Sequence, residues 1–261
     1  MTIRLQATGL SRTYRPAGLW ARWRGTPGVC AVDGIDLELR SGQRLGIVGE
    51  SGSGKSTLMR LLLGLEAPDA GSVTYDGRQV RAGEELTWFR REVQFVPQDP
   101  SSSLNPCLRI RDCVREPLQC LGIDDDHAAR VQECLELVGL DPSLGDRHPG
   151  ELSGGQRQRV AIARALAPSP AVIVADEAVS ALDALVRLQV MTTLRDICGS
   201  EGLSLIFISH DLGAVCHLCD SVLVMSKGTV VESGPVPGLF ESSTAPQTRQ
   251  LVAAVPTLPS P

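Results

Sequence analysis

The chain has 261 residues, 43% of them hydrophobic, 21% charged and only 3% aromatic. That is apolar surface enough for one large domain or two small ones, and it excludes disulfide-stapled, collagen-like and wholly disordered architectures. Thirty acidic against twenty-five basic residues leave a net charge of −5, so no general basic field exists for nucleic-acid phosphates and nucleic acid is not an expected partner.

The opening MTIRLQATGL has neither the basic start nor the apolar run of a secretory signal. No stretch of about 18 uninterrupted apolar residues follows, so the chain is not expected to cross a membrane by itself. Its eight cysteines, at 30, 107, 113, 120, 134, 198, 216 and 219, are expected as reduced cytosolic thiols. IRLQATGL and VCAVDGIDLELR are predicted strands, the second with Val32, Ile35, Leu37 and Leu39 on a mostly alternating face. The intervening YRPAGLWARWRGTPG reads as an exposed loop. Ser41-Gly42 marks a turn, and RLGIV is a short strand running into GESGSGKST, after which Leu58, Leu61, Leu62 and Leu65 keep helical spacing.

GSVTYDG and EVQFVPQ are further predicted strands. From about 101 to 167 the pattern turns helical. In HAARVQECLELVGL, Val131, Leu135 and Val138 share a face and Gly139 is placed to stop the helix. The preceding Asp124-Asp125-Asp126 suits a solvated helix N-terminus, where negative charge is favoured. AVIVA and LSLIFIS are continuous apolar runs of the kind buried on both faces of a parallel sheet. Beyond 241 the Ser, Thr and Pro content predicts poor order.

Gly49-Glu-Ser-Gly-Ser-Gly-Lys55-Ser56 fits G-x-x-x-x-G-K-[ST] between a strand and a helix, the context that phosphate loop requires. Glycines let backbone N–H groups converge on phosphate oxygens, and the following helix N-terminus adds partial positive charge. Gly49, Glu50, Ser51, Gly52, Ser53, Gly54, Lys55, Ser56 and Thr57 are therefore candidate nucleotide contacts. Lys55 is suited to the β/γ-phosphates and Ser56 to Mg²⁺. Asp176 and Glu177 end the strand AVIVA, where open α/β sheets place their ligands. Asp176 is suited to hold Mg²⁺, usually through water, and Glu177 to take a proton from an attacking water.

Leu152-Ser153-Gly154-Gly155-Gln156, followed by RQRVAIARAL, resembles the signature motif of ATP-binding cassette (ABC) ATPases. The resemblance covers about residues 2–240. It implies that Ser153, Gly154, Gly155 and Gln156 meet the γ-phosphate held by another subunit's P-loop. Gln98 in VPQDP matches the glutamine that senses Mg²⁺ and water and contacts a membrane partner. Ser180-Ala-Leu-Asp183 matches the loop that crosses the dimer interface, and His210 the histidine that contacts the γ-phosphate. Tyr14 matches the aromatic that stacks on adenine, with Trp20 and Trp23 as competitors because the insert after Tyr14 loosens the alignment.

The implied fold is α/β: a P-loop (RecA-like), mostly parallel sheet core with an N-terminal antiparallel β subdomain and an α-helical insertion at about 101–167. One cassette is expected over 1–240, with a short tail at 241–261. QDPSSSLNP at 98–106, REPL at 115–118 and the late TAPQTRQLVAAVP resemble importer ATPases for peptides and nickel, and a longer C-terminal extension is not expected. Ala178, where most members carry proline, leans towards the nickel and metal-chelate branch. The implied cofactors are ATP and Mg²⁺. The implied partners are a paralogous cassette, two transmembrane permease subunits and an extracytoplasmic binding protein, with this chain peripheral on the cytoplasmic face of the cell membrane. An exporter ATPase and a soluble cassette acting on DNA or ribosomes are the alternatives. Cys216-x-x-Cys219 beside His217 has no second ligand pair nearby in sequence, so it reads as packing thiols, not as a zinc site.

Overall fold

A computed structural model describes residues 2–15, 28–180 and 182–254. Its strands are β1 (Ile3–Tyr14), β2 (Val29–Arg40), β3 (Arg44–Gly49), β4 (Ala70–Tyr75), β5 (Arg78–Val80), β6 (Val93–Val96), β7 (Val172–Asp176), β8 (Ser204–Ile208), β9 (Ser221–Ser226) and β10 (Thr229–Pro235). The chain divides into two compact units: residues 1–40, 47–85 and 221–261, and residues 41–46 and 86–220.

The first unit holds an antiparallel sheet in the order β2-β1-β4-β5. Val32, Ile35, Leu37 and Leu39 are all buried, as expected. The alternation skips between Val32 and Ile35 because the register with β1 shifts there, where Gly34 adopts a φ of 60°. The P-loop helix Lys55–Leu62 buries Leu58, Leu61 and Leu62, but Leu65 lies beyond its end and is exposed. The hairpin of β9 and β10 also belongs to this unit and turns at Lys227-Gly228, both at positive φ. The sequence reading missed it, although an apolar run ending at a glycine turn is a hairpin signal.

In the second unit β6, β7 and β8 pair in parallel, with Val93 opposite Val172 and Asp176 opposite Ile208. Residues 172–175 and 205–208 are at most 1% exposed, which is why the sequence shows unbroken apolar runs there. Three helices fill the predicted helical stretch: Ile110–Cys120, His127–Leu137 and Gly154–Leu166. They do not separate from β6–β8 as a unit of their own. Asp126 caps the second by accepting from the N–H groups of Ala128 and Ala129, and Gly139 ends it at φ 67°. Arg130 donates to the carbonyls of Leu166 and Ala167, satisfying the C-terminal end of the third helix.

The tail departs from expectation. Pro246–Ala253 is a helix with Thr248 fully buried. Glu232 of β10 accepts from Ser243 Oγ at 2.7 Å and from the Thr244 N–H at 3.0 Å. The Ser/Thr content that suggested disorder supplies the donors that pin this segment.

Candidate functional site

The P-loop is shaped by backbone. Gly49 has φ 158° and Gly54 φ 104°. A Cβ on Gly49 would collide with the carbonyl oxygen of Met225, and one on Gly54 with that of Ala31. Only glycine fits Gly54, since the left-handed region and the close approach both forbid a side chain. Ser53 accepts at its carbonyl from the Gly228 N–H at 3.0 Å, and the Gly228 carbonyl accepts from the Asp33 N–H at 2.9 Å. The loop therefore rests on β2 and the β9–β10 hairpin, which explains what that hairpin contributes. Lys55 is buried, and its ammonium donates to the carbonyls of Gly49 at 2.7 Å and Glu50 at 2.9 Å. Ser51, Gly52 and Ser56 are exposed at the mouth of the loop, while Ser53 and Thr57 are buried. A glycine cradle with a fixed ammonium and an exposed hydroxyl fits a nucleotide's phosphates with their divalent cation.

Tyr14 ends β1 in the same unit. Its hydroxyl donates to Glu66 Oε2 at 2.7 Å and accepts from Arg60 Nη2 at 3.2 Å, and Thr57 Oγ1 lies 3.5 Å away. The Arg12 guanidinium sits over the ring at 5.4 Å from its centroid. Burial works to raise the carboxyl of Glu66, but the hydrogen bonds from Tyr14 and Arg12 outweigh it and hold the group below its usual range. Trp20 and Trp23 lie outside the described residues.

In the second unit, Glu177 follows β7 at φ 43°, a left-handed conformation that costs a non-glycine residue roughly 1–2 kcal/mol. Its backbone is held from both sides. The N–H donates to the Ile208 carbonyl at 2.8 Å, and its carbonyl accepts from the Ser180 N–H at 3.0 Å and Oγ at 2.9 Å. The carboxylate lies between two donors: Gln98 Nε2 at 2.8 Å from Oε2 and His210 Nδ1 at 2.9 Å from Oε1. His210 is 61% exposed and Glu177 20%. The structure thus brings together three predicted residues from the ends of β6, β7 and β8. Asp176 is the last residue of β7 and is partly buried.

The neighbours of His210 are fixed too. Asp211 donates its N–H to Ser209 Oγ, caps the helix Leu212–Leu218 by accepting from the Ala214 N–H, and pairs with Arg187 at 3.0 Å. Arg187 also donates to the carbonyl of Leu182. Sequence reasoning missed Arg187; no motif marks a cation whose task is to tie two loops.

Ser153 caps the helix Gly154–Leu166 and forms a capping box with Gln156. Gln156 Oε1 accepts from the Ser153 N–H at 2.9 Å, and Ser153 Oγ accepts from the Gln156 N–H at 3.2 Å. A Cβ on Gly155 would collide with Val186, whereas one on Gly154 meets nothing within 4 Å. Val186 belongs to the helix Ala184–Ser200, which Asp183 caps by accepting from the Val186 N–H at 3.0 Å. Asp183, Leu185 and Leu188 are exposed.

Cys219 is buried, and burial pushes its thiol well above the ordinary value, as in a packing residue. Cys216 is exposed, a difference the sequence pattern did not separate. Among the described residues, no group of three or more His, Cys, Asp or Glu residues is placed to hold a metal ion, and no helix is long and apolar enough to cross a membrane.

Residues 32–180 match the ABC transporter family. The chain is 46% identical over 250 residues to the oligopeptide transport ATP-binding protein OppD of Mycobacterium tuberculosis, covering 95% of this chain and 41% of that protein. It is 44% identical over 238 residues to the putative oligopeptide transport ATP-binding protein YkfD of Bacillus subtilis, covering 89% of this chain and 72% of the relative. The chain therefore spans less than half the length of the mycobacterial relative. Its fold resembles the dimeric ATP-binding cassette MJ0796 in a post-hydrolysis state with ADP and Pi, at TM-score 0.78 and 27% identity over 90% of this chain and 99% of that one. With this match over more than half its length, a mixed α/β fold and the P-loop described above, the chain belongs to the ABC transporter family.

Proposed function

We propose that this chain is the ATP-hydrolysing subunit of an importer for peptides. The observation that carries the reading is the Glu177 carboxylate, held at the end of a parallel strand between Gln98 and His210. A carboxylate fixed by two donors presents its remaining lone pairs in a set direction, as a general base for water requires. Lys55 and the P-loop amides would bind and orient the β/γ-phosphates, Ser56, Gln98 and Asp176 would hold Mg²⁺, and Tyr14 would seat the adenine. The divalent cation supplies charge neutralisation on the phosphates when bound.

The signature loop has its counterpart on a second cassette. Support comes from Asp183, Leu185 and Leu188, which are exposed at the start of the helix Ala184–Ser200 and available to an interface. A head-to-tail pair then places Ser153, Gly154, Gly155 and Gln156 of each cassette against the nucleotide of the other. We propose a paralogous cassette as the partner, with two separate permease subunits spanning the membrane and an extracytoplasmic binding protein delivering substrate. This chain then sits on the cytoplasmic face.

The relatives' names support peptides over nickel. Ala178, which leaned towards nickel, is 1% exposed and therefore a packing position. The test is uptake into vesicles containing the permeases, this chain and its paralogue, loaded with ATP and supplied with the binding protein. Labelled oligopeptide should accumulate, and Glu177→Gln in this chain should sharply reduce it. ATP-driven accumulation of nickel without peptide, or outward movement of peptide, would overturn the assignment.

A further inference from the structure

The end of β1 is tied to the chain just beyond the P-loop helix by a cluster that the phosphate chemistry does not use. Glu66 faces four donor atoms from three residues: Tyr14 OH at 2.7 Å, Arg12 Nε at 2.9 Å, Arg12 Nη2 at 2.8 Å and Arg60 Nε at 3.4 Å. Its own N–H donates to the Arg60 carbonyl at 3.3 Å, as does that of Leu65 at 2.9 Å, so Glu66 moves with the P-loop helix. Three residues on, Asp69 donates its N–H to the Ser11 carbonyl at 2.8 Å. Its carboxylate accepts from the Thr13 N–H at 2.7 Å and from Arg12 Nη1 at 2.9 Å. Residues 11–14 are thus laced to residues 60–69 by backbone and side chain together.

We infer that Glu66 is a positioning residue that sets the Tyr14 ring against the P-loop, and through it the affinity for a purine base over a bare phosphate chain. The inference rests on the reading that Tyr14 seats the base. Tyr14 ends its strand, and an aromatic side chain there would turn about its Cα–Cβ bond. The hydroxyl bond to Glu66 fixes the far end of the ring, and Arg12, itself held by Glu66, covers one face. A planar base therefore has a defined face to stack on, with its phosphates measured from the same helix that carries Lys55. A ring free to turn spends part of its time away from the base, so a loosened ring loses base contact while phosphate contacts persist.

The experiment compares calorimetric binding of Mg·ATP with Mg·tripolyphosphate, which has the phosphates but no base, in the purified chain and three variants. Glu66→Ala should weaken ATP by roughly two- to tenfold and leave tripolyphosphate within about twofold, on the scale of one aromatic contact. Glu66→Gln keeps an acceptor for the Tyr14 hydroxyl and should recover part of the loss. Tyr14→Ala should lose at least as much as Glu66→Ala. An equal loss of both ligands in Glu66→Ala would make Glu66 a scaffold of the P-loop and overturn the inference, as would a normal ATP to tripolyphosphate ratio in Glu66→Ala beside a reduced one in Tyr14→Ala. A normal ratio in Tyr14→Ala would instead remove the reading of Tyr14 on which the inference stands. Thermal melts confirm that each variant is folded.

Discussion

Two glycine-rich turns in this chain each lead into a helix, and their glycines have different surroundings. In the P-loop, Gly49 and Gly54 lie against the main-chain carbonyls of Met225 and Ala31, and Gly54 has φ 104°. In the signature turn both glycines have ordinary φ; Gly155 lies against the Val186 side chain, and Gly154 faces open space. Backbone cannot retreat as a side chain can. The P-loop is thus built by its own chain, whereas among the described residues none lies close enough to explain why position 154 is glycine. A residue left small without an internal reason suits close approach from outside, which is the place proposed for a partner's nucleotide.

The contrast can be broken by adding one carbon at a time. Gly54→Ala should be worst, destabilising by at least about 3 kcal/mol from left-handed strain and the collision with the Ala31 carbonyl. Calorimetric ATP titration should show no binding, and thermal melting should fall by several degrees. Gly155→Ala should cost about 1–3 kcal/mol by overpacking against Val186, and Val186→Ala in the same chain should recover part of it. If Val186→Ala recovers nothing, Gly155 is small for another reason. Gly154→Ala should change stability by less than about 0.5 kcal/mol. It should nevertheless reduce ATP-driven association with the partner cassette, as read by light scattering. Equal association in Gly154→Ala and the parent chain would separate the signature turn from any partner. The same measurement on this chain alone with Glu177→Gln should show little stable dimer, and a robust homodimer would argue against a paralogous partner.

The smallest expected effect concerns the tail. Ser243 and Thr244 hold the carboxyl of Glu232 down to about 2. A depressed folded value stabilises the clasp fully above the ordinary value near 4.5, and that contribution is lost as pH falls through about 2. Glu232→Gln should therefore speed proteolysis within Pro246–Ala253 a few-fold at pH 5 but make little difference at pH 2. A difference that persists at pH 2 would show that charge on Glu232 is not what pins the tail.

Which of these features the sequence disclosed follows from their range. The P-loop, Asp176 and Glu177, and the strands AVIVA and LSLIFIS were legible because their signal is local: fixed spacing, or burial on both faces of a sheet. The meeting of Gln98, Glu177 and His210 could be anticipated only through the family resemblance, since 79 and 33 residues separate Gln98 and His210 from Glu177. Glu66, Arg12 and Arg187 were invisible, because a charged residue that ties two loops has the same composition as one that faces solvent. The helix Pro246–Ala253 was missed because its anchor, Glu232, lies in another element. Both turns are glycine-rich in sequence; their backbone φ and their neighbours set the glycines apart.

The most direct test of the account is ATP hydrolysis by the assembled cassettes with Glu177→Gln in this chain. Glutamine keeps the side chain's shape and a carbonyl oxygen for the Gln98 amide but accepts no proton from water. Calorimetry should show ATP bound with near-parental affinity, while single-turnover hydrolysis at the site carrying the substitution falls by roughly 10²–10⁴-fold, the usual contribution of a positioned general base. Hydrolysis at near-parental rate with ATP bound would remove Glu177 from that role and contradict the account.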